Sequence, residues 1–432
     1  MSENNTAMSA EKPASAPAFG SDVKRLPLKD LLKRIGPGLI ATGIVIGPGA
    51  VTTASMIGAN YGYDLMWLFF PIIFMGITFM MVTNRLAIVT GMPTIHAIRK
   101  YYGPVASGVV GCAIFLSCMF FTMGNISGTG AGMNLIFGID WKIGSAIMIA
   151  VYMYFAKNVY SKVEKIITLC IVLMIVAFYA TLVGVGGPEP QGLAKGLFGF
   201  KVPEGSLSTA LAFISTNAAV TAGIYGTYLG KEKKWKKDDL FNGVMLTDAI
   251  THIVSVSLIS GAIVLVGAVV LHPQGLSIKA PAQLAEMLVP IMGGSARYIM
   301  GLALLGAGFS SLLANTQRGM VLLGAGLDKD VSLESKFIRI GCLVCLAFAM
   351  VVCYSYGGSP TQLILIANIA TSVATPFGGL FMLLMIWRDD LSEGYKKPTG
   401  LRICMTISYI FAVIMTISGL STQIPKLLAL FH

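Results

Sequence analysis

The sequence predicts an all-α polytopic membrane protein, and three observations carry that prediction. Of 432 residues, 55% are hydrophobic and only 12% are charged, with a mean hydropathy of +0.77. A water-soluble domain carries about 25% charged residues, so half the usual supply is left to cover a surface. Apolar runs repeat from residue 37 to residue 425, with no hydrophilic gap long enough for a soluble domain. Forty-nine glycines suit helices that pack closely in lipid.

A helix needs about 20 apolar residues to cross the hydrocarbon core. By that ruler the chain holds eleven transmembrane helices, at 36–60, 65–84, 106–135, 143–157, 166–187, 207–229, 243–271, 284–326, 338–356, 361–387 and 403–425. The eighth is too long for one straight crossing and is expected to begin as a surface segment around Ala280–Pro290. Ahead of the spans, residues 1–30 are mostly polar and rich in Ala, Ser and Pro. They lack the apolar stretch of a signal peptide and read as a disordered cytoplasmic tail, leaving 31–432 as the membrane domain.

Orientation follows from the basic residues. With the amino terminus inside, the inside segments hold 24 Lys and Arg, and the outside ones only Lys142, Lys195, Lys201, Lys279 and Lys426. That is a strong positive-inside bias, and it predicts a multi-pass protein of the cytoplasmic membrane with a cytoplasmic amino terminus. The net charge of +11 is therefore topological, and the lipid bilayer rather than nucleic acid is the expected partner. The run Lys231-Glu-Lys-Lys-Trp-Lys-Lys237 reads as a juxtamembrane anchor. Nothing resembles a phosphate-binding loop, so no nucleotide is expected, and any work would draw on a solute gradient. The seven cysteines lie in or at the ends of apolar segments without zinc-site spacing, and no cofactor or enzymatic chemistry is expected.

Two spans are interrupted. In the first, Gly43-Ile-Val-Ile-Gly47-Pro48-Gly49-Ala50 sets a proline between glycines at mid-membrane, followed by Thr52 and Thr53. Proline removes a backbone donor, and such a break is tolerated only where it lines a cavity or is buried in protein. The sixth span carries Ser215-Thr216-Asn217 and Val220-Thr221-Ala222-Gly223 at matching depth. Interruptions in corresponding helices of two halves point to a transport site at the midplane. The competing reading is a proline kink and a small-residue helix contact.

Several stretches resemble the Nramp divalent-metal transporters. They include Arg34-Ile-Gly-Pro-Gly, Ile46-Gly-Pro-Gly49, Ile57-Gly-Ala-Asn-Tyr-Gly-Tyr-Asp-Leu-Met-Trp67 and Asn84-Arg-Leu-Ala-Ile-Val-Thr-Gly91. Gly128-Thr-Gly-Ala-Gly-Met-Asn134, Val163-Glu-Lys-Ile166, Gly301-Leu-Ala-Leu-Leu-Gly-Ala-Gly-Phe-Ser-Ser311 and Thr375-Pro-Phe377 continue it in order. The resemblance covers roughly residues 30–420 and implies a LeuT-type 5+5 inverted repeat plus one helix. The departures concern the metal ligands. The family's Asp-Pro-Gly-Asn falls on Gly47-Pro48-Gly49-Ala50, and its Met-Pro-His on Val220-Thr221-Ala222. Its acidic pair in the third helix falls on Thr122 and Asn125, and its glutamine in the tenth on Asn368.

What remains is a neutral, oxygen-rich cup of Thr52, Thr53, Asn125, Asn217, Thr221 and Asn368, with Gly47, Ala50 and Val220 at the lost ligand positions. Soft thioether selects transition metals, whereas oxygen donors and water suit Mg²⁺. The expected cargo is thus a divalent cation, hydrated Mg²⁺ rather than Mn²⁺ or Fe²⁺, moved without proton coupling. The rivals are a small neutral or anionic organic solute, and a non-transporting sensor. Asp248 and His252, four apart on one helix face, are either a relay or a packed pair. Asn315, Thr316, Gln317 and Arg318 form a polar break that either lines an inner vestibule or starts a loop.

Overall fold

The computed structural model describes residues 19–20, 22–33, 46–155, 160–228 and 235–428. Among them every element is helical, apart from an isolated pairing of Phe19 with Tyr395. The opening half of the first span, with Arg34–Gly38, lies outside the described residues, as do residues 1–18 and most of the basic run at 231–237.

The order begins with a short helix α1 (Leu28–Lys33) and the half-helix α2 (Pro48–Tyr61). Proline suits the first position of α2, because its missing N–H would have no intrahelical partner there. Next come α3 (Phe69–Thr90) and α4 (Thr94–Phe137), which bends where Gly103 (φ 88°, ψ 175°) precedes Pro104. The first half ends with α5 (Trp141–Phe155) and α6 (Tyr160–Gly184). A surface helix α7 (Pro190–Phe198) leads to the second interrupted span, α8 (Leu207–Asn217) and α9 (Val220–Gly226). Then α10 (Val244–Val266) runs into a π-helical turn at Gly267–Leu271. The long eighth segment divides into α11 (Pro281–Glu286), a single turn at Val289–Met292, and α12 (Ala296–Gly326). The chain closes with α13 (Lys336–Ser355), α14 (Pro360–Ala370), α15 (Ala374–Trp387) and α16 (Thr399–Leu428).

Eight helices among the described residues are long and apolar enough to cross a membrane, and Trp141–Val151 and Val172–Gly184 are shorter apolar stretches. The glycines explain how they pack. Along the α4–α12 seam a Cβ on Gly132 would lie 2.7 Å from the Gly301 carbonyl, and one on Gly326 would lie 2.6 Å from that of Ser107. Backbones meet there, which is how small residues promote packing where lipid removes the hydrophobic drive. The same closeness fixes α2. A Cβ on Gly58 would lie 2.1 Å from the Val264 carbonyl, and one on Gly128 would lie 2.1 Å from Pro48 Cβ.

The polar loops gather at two ends. At one, the Arg99 guanidinium pairs with Asp328 at 3.3 Å, the Thr94 N–H donates to Thr227 Oγ1, and Arg402 donates to Asp389 at 3.0 Å. At the other, Lys201 pairs with Asp64, and the Lys142 ammonium donates to the Tyr354 carbonyl. Part of the expected disordered tail is docked at the first end. The Phe19 N–H donates to the Gly394 carbonyl at 2.7 Å, Lys396 N–H donates back to Phe19, and the Phe19 ring packs edge-on to Phe241 and Tyr395. An aromatic ring within an otherwise polar stretch supplies the apolar contact that the composition of the tail as a whole concealed.

Candidate functional site

The site is built on the two interruptions. Gly47 is extended (φ −103°, ψ 179°), and α2 starts at Pro48 with no side chain capping its first turn. The positive end of a buried half-helix therefore opens inside the protein. In the sixth span α8 stops at Asn217, Ala218 (φ −120°, ψ 42°) and Ala219 (φ −67°, ψ 119°) leave helical geometry, and α9 resumes at Val220. Between the breaks lies a cavity of about 20 Å³, room for one water-sized guest. Gly47, Gly49 and Ala50 form its first wall, and Thr216 and Ala219 its second. Phe121 and Asn125 of α4 and Ser311, Asn315 and Arg318 of α12 complete it.

The expected residues divide around this cavity. Gly47, Ala50 and Asn125 line it, and the Nδ2 of Asn125 is buried without a hydrogen-bond partner. Asn368 sits against α2 just above: a Cβ on Gly49 would lie 2.5 Å from Asn368 Oδ1, and Asn368 Nδ2 is likewise unpartnered. Thr52 and Thr221 are buried with hydroxyls that find no partner. The Thr53 hydroxyl donates to its own helix at the Gly49 carbonyl, 2.8 Å away. Asn217 is fully engaged. Its Nδ2 donates to the Phe213 carbonyl at 2.8 Å, and its Oδ1 accepts from Ser260 Oγ at 2.7 Å. Val220 is buried but does not line the cavity; its Cγ1 lies 3.8 Å from where a Cβ on Gly378 of α15 would stand, and Ala219 supplies the wall instead. His252 borders a separate void of about 10 Å³ with Asn217, Ala218 and Ala219, and Asp248 lies one turn earlier on α10, also buried.

Two lining residues went unweighted in the sequence, and the stretch Asn315–Arg318, read there as lining a vestibule or starting a loop, lies inside the continuous helix α12 with Asn315 and Arg318 on the cavity. Ser311 and Phe121 line the cavity from helices with no local irregularity to mark them. Arg318 is 4% exposed. Its Nη2 donates to Asn315 Oδ1, its Nε donates to Cys118 Sγ at 3.4 Å, and its guanidinium lies 5.5 Å from the Phe121 ring centre. A charge inside an apolar span marks a candidate functional residue. No carboxylate pairs with it among the described residues, and residues 34–45, which precede the break, contain no Asp or Glu. Nor do three His, Cys, Asp or Glu side chains converge anywhere among the described residues. The cavity offers hydroxyl and amide groups, helix-terminal backbone and one guanidinium.

Comparisons with known proteins agree with this architecture. The chain is 26% identical to the divalent metal cation transporter MntH of Chromohalobacter salexigens, over 79% of this chain and 80% of that one. It is 24% identical to the MntH of Listeria monocytogenes over 90% and 89%. Both relatives are named as transporters, not as enzymes. In fold it is similar to a manganese transporter of Eremococcus coleocola, solved with an aromatic bis-isothiourea substituted compound (TM-score 0.70, 16% identity, 94% and 91% coverage). It is also similar to MhsT in complex with L-phenylalanine (TM-score 0.58, 18% identity, 89% and 98% coverage). A family described as natural resistance-associated macrophage protein-like matches residues 38–422. With that match across most of its length, this multi-pass, all-helical membrane protein belongs to the Nramp family.

Proposed function

We propose that the chain is a secondary transporter of divalent cations, with its amino terminus on the cytoplasmic side of the cytoplasmic membrane. Its cargo is a cation that keeps much of its water, Mg²⁺ rather than Mn²⁺, Fe²⁺ or Cd²⁺. The relatives named as divalent metal cation transporters supply the cation class. One observation carries the selectivity: among the described residues, the wall between the two helix breaks contains no carboxylate, imidazole, thiolate or thioether. Amide and hydroxyl oxygens can hold the water shell of a hard cation, whereas stripping a transition metal needs charged or soft ligands. Movement is not proton-coupled, because the α4 residues lining the cavity are Phe121 and Asn125, and Thr122, whose hydroxyl donates to the Cys118 carbonyl at 2.9 Å, lies outside that lining; none of the three titrates near neutrality.

An uptake panel in proteoliposomes tests the reading, with Mg²⁺, Mn²⁺, Cd²⁺ and small organic solutes presented separately and a lumenal pH dye inside. Mg²⁺ accumulation without lumenal acidification is the expected result. Micromolar Mn²⁺ or Cd²⁺ binding by calorimetry would overturn the ligand-loss argument. Acidification that tracks cation uptake and survives His252→Ala would overturn the uncoupled mechanism. Uptake of an organic solute with no response to any divalent cation would move the chain to the rival class.

A further inference from the structure

The unexplained group in this site is Arg318. A buried guanidinium without a counter-charge is costly, and in proteins such a group is normally paired. Here its hydrogen bonds go to a neutral amide and a thiol sulfur, and its face rests on an aromatic ring. None of these neutralises it. The guanidinium instead borders the cavity that also receives the uncapped, positive end of the 14-residue helix α2. Asn125, 3% exposed, lines the same space with an unpartnered Nδ2, and rotation of its carboxamide presents either oxygen or NH₂ to a guest. Two sources of positive potential and a spare donor thus converge on a space that no acidic side chain enters among the described residues.

We propose that this cavity binds a small monovalent anionic group, a free halide or the carboxylate of a small solute, between the Arg318 guanidinium, the Asn125 amide and the amino-terminal turn of α2. Arginine and a helix amino terminus are the two devices proteins use most readily for anions, and a single chloride or carboxylate oxygen suits the size of the space. The anion has a consequence that rests on the functional reading above. Once the guanidinium is screened, a hydrated divalent cation can approach the neutral oxygens around the break without facing a bare positive charge. Anion and cation then bind with positive linkage, each raising the affinity of the other by the same factor.

The test begins without any divalent cation. The full-length protein, purified in detergent in chloride-free gluconate buffer, is titrated at constant ionic strength with chloride, bromide or acetate while its Tm is followed. A saturable upward shift is expected, as linkage requires for a ligand of the folded state. Arg318→Gln should abolish the shift, Arg318→Lys should weaken it, and Asn125→Leu should reduce it by filling the cavity. If Arg318→Gln does not fold, the Lys and Leu variants decide. No shift in the wild type overturns the proposal, and so does a shift that all the variants retain. Response to halides alone identifies a free ion, and response to acetate alone identifies a carboxylate-bearing solute. Magnesium uptake is then compared in chloride, acetate and gluconate. An anion shift in a protein that carries no divalent cation would sink the transport reading and leave the anion site standing. Cation uptake with no anion shift would do the reverse.

Discussion

The two helix breaks lie against the same cavity, yet they treat their polar groups in opposite ways. The second is closed on its α8 side: Asn217 is held by Phe213 and Ser260, the Thr216 hydroxyl donates to its own helix at the Ala212 carbonyl, 3.0 Å away, and only the Thr221 hydroxyl past the break lacks a partner. The first leaves its groups open. Asn125 and Asn368 flank it with unpartnered NH₂ groups, its first turn has no side-chain cap, and Arg318 borders the cavity with no counter-charge among the described residues. Asparagine occurs at both breaks, so residue type does not tell them apart. What differs is whether a neighbouring helix supplies a partner: Ser260 of α10 does so for Asn217. The second break thus serves as a fixed wall, and the first holds the groups available to a guest.

The largest effect should come from breaking the first wall itself. Gly128→Val places a Cβ where Pro48 Cβ already stands, 2.1 Å away, on two rigid elements that cannot yield. We expect a loss near the top of the overpacking range, about 3 kcal/mol. It should appear as a large drop in Tm and no measurable uptake. A fully folded, active Gly128→Val protein would show that the α2–α4 contact does not define the break.

The next experiment asks which residue of the second break faces the cargo. Gly47→Asp with Ala50→Asn rebuilds two oxygen ligands, although the new Cβ at position 47 must displace Ser311 Oγ from 2.9 Å. Adding Ala219→Met brings a thioether to the cavity wall, whereas adding Val220→Met places it at a position that does not line the cavity. The Ala219 triple variant should gain Mn²⁺- or Cd²⁺-dependent stability, about 2.7 kcal/mol at a hundred times Kd. The Val220 version should gain much less. Equal gains in thermal-shift titrations would mean the two positions are equivalent.

A pair of single substitutions sharpens the contrast further. Asn217→Ala strands the Ser260 hydroxyl and removes a satisfied network, so it should cost about 1–3 kcal/mol. Asn125→Ala removes an amide with an unpartnered NH₂ and should cost far less stability while lowering uptake. If both variants unfold at the same temperature, the distinction between a wall and a binding face fails.

The smallest effect lies away from both breaks and serves as a control. Arg402 and Lys397 hold the Asp389 carboxyl below its usual range through hydrogen bonds and charge. That stabilisation is present above the ordinary Asp value of 3.8 and is lost as the pH falls below it. Asp389→Asn should therefore lower Tm slightly at neutral pH, with the gap to wild type closing in acid. Uptake selectivity should not change.

The fold was legible because its signals are long: apolar length and the order of Gly-rich stretches each span many residues. The start of α2 was legible too, since proline suits a helix's first position and the Gly47 before it is free to leave helical geometry. The finer division of the site was not. Thr53 and Asn217 look like free ligands in sequence, but their groups are taken up by the Gly49 carbonyl and by Ser260. Helical position alone could not decide between Ala219 and Val220, because a break shifts the register of every residue after it. Arg318 was visible as a charge, but its meaning depends on α4 and α2 standing beside it.

One feature of the packing reaches beyond the site. Gly58 and Gly267 let the far end of α2 sit directly on the backbone of α10 and its π-helical turn, and His272 adds a hydrogen bond from its Nδ1 to the Ala59 carbonyl at 3.0 Å. With backbone against backbone at these two glycines, the two segments are expected to act as one welded lever. If α2 tilts at Pro48, residues 264–272 should move with it. Spin labels at Tyr61 and Gln274 should keep a constant separation while distances from either to α4 change through the transport cycle.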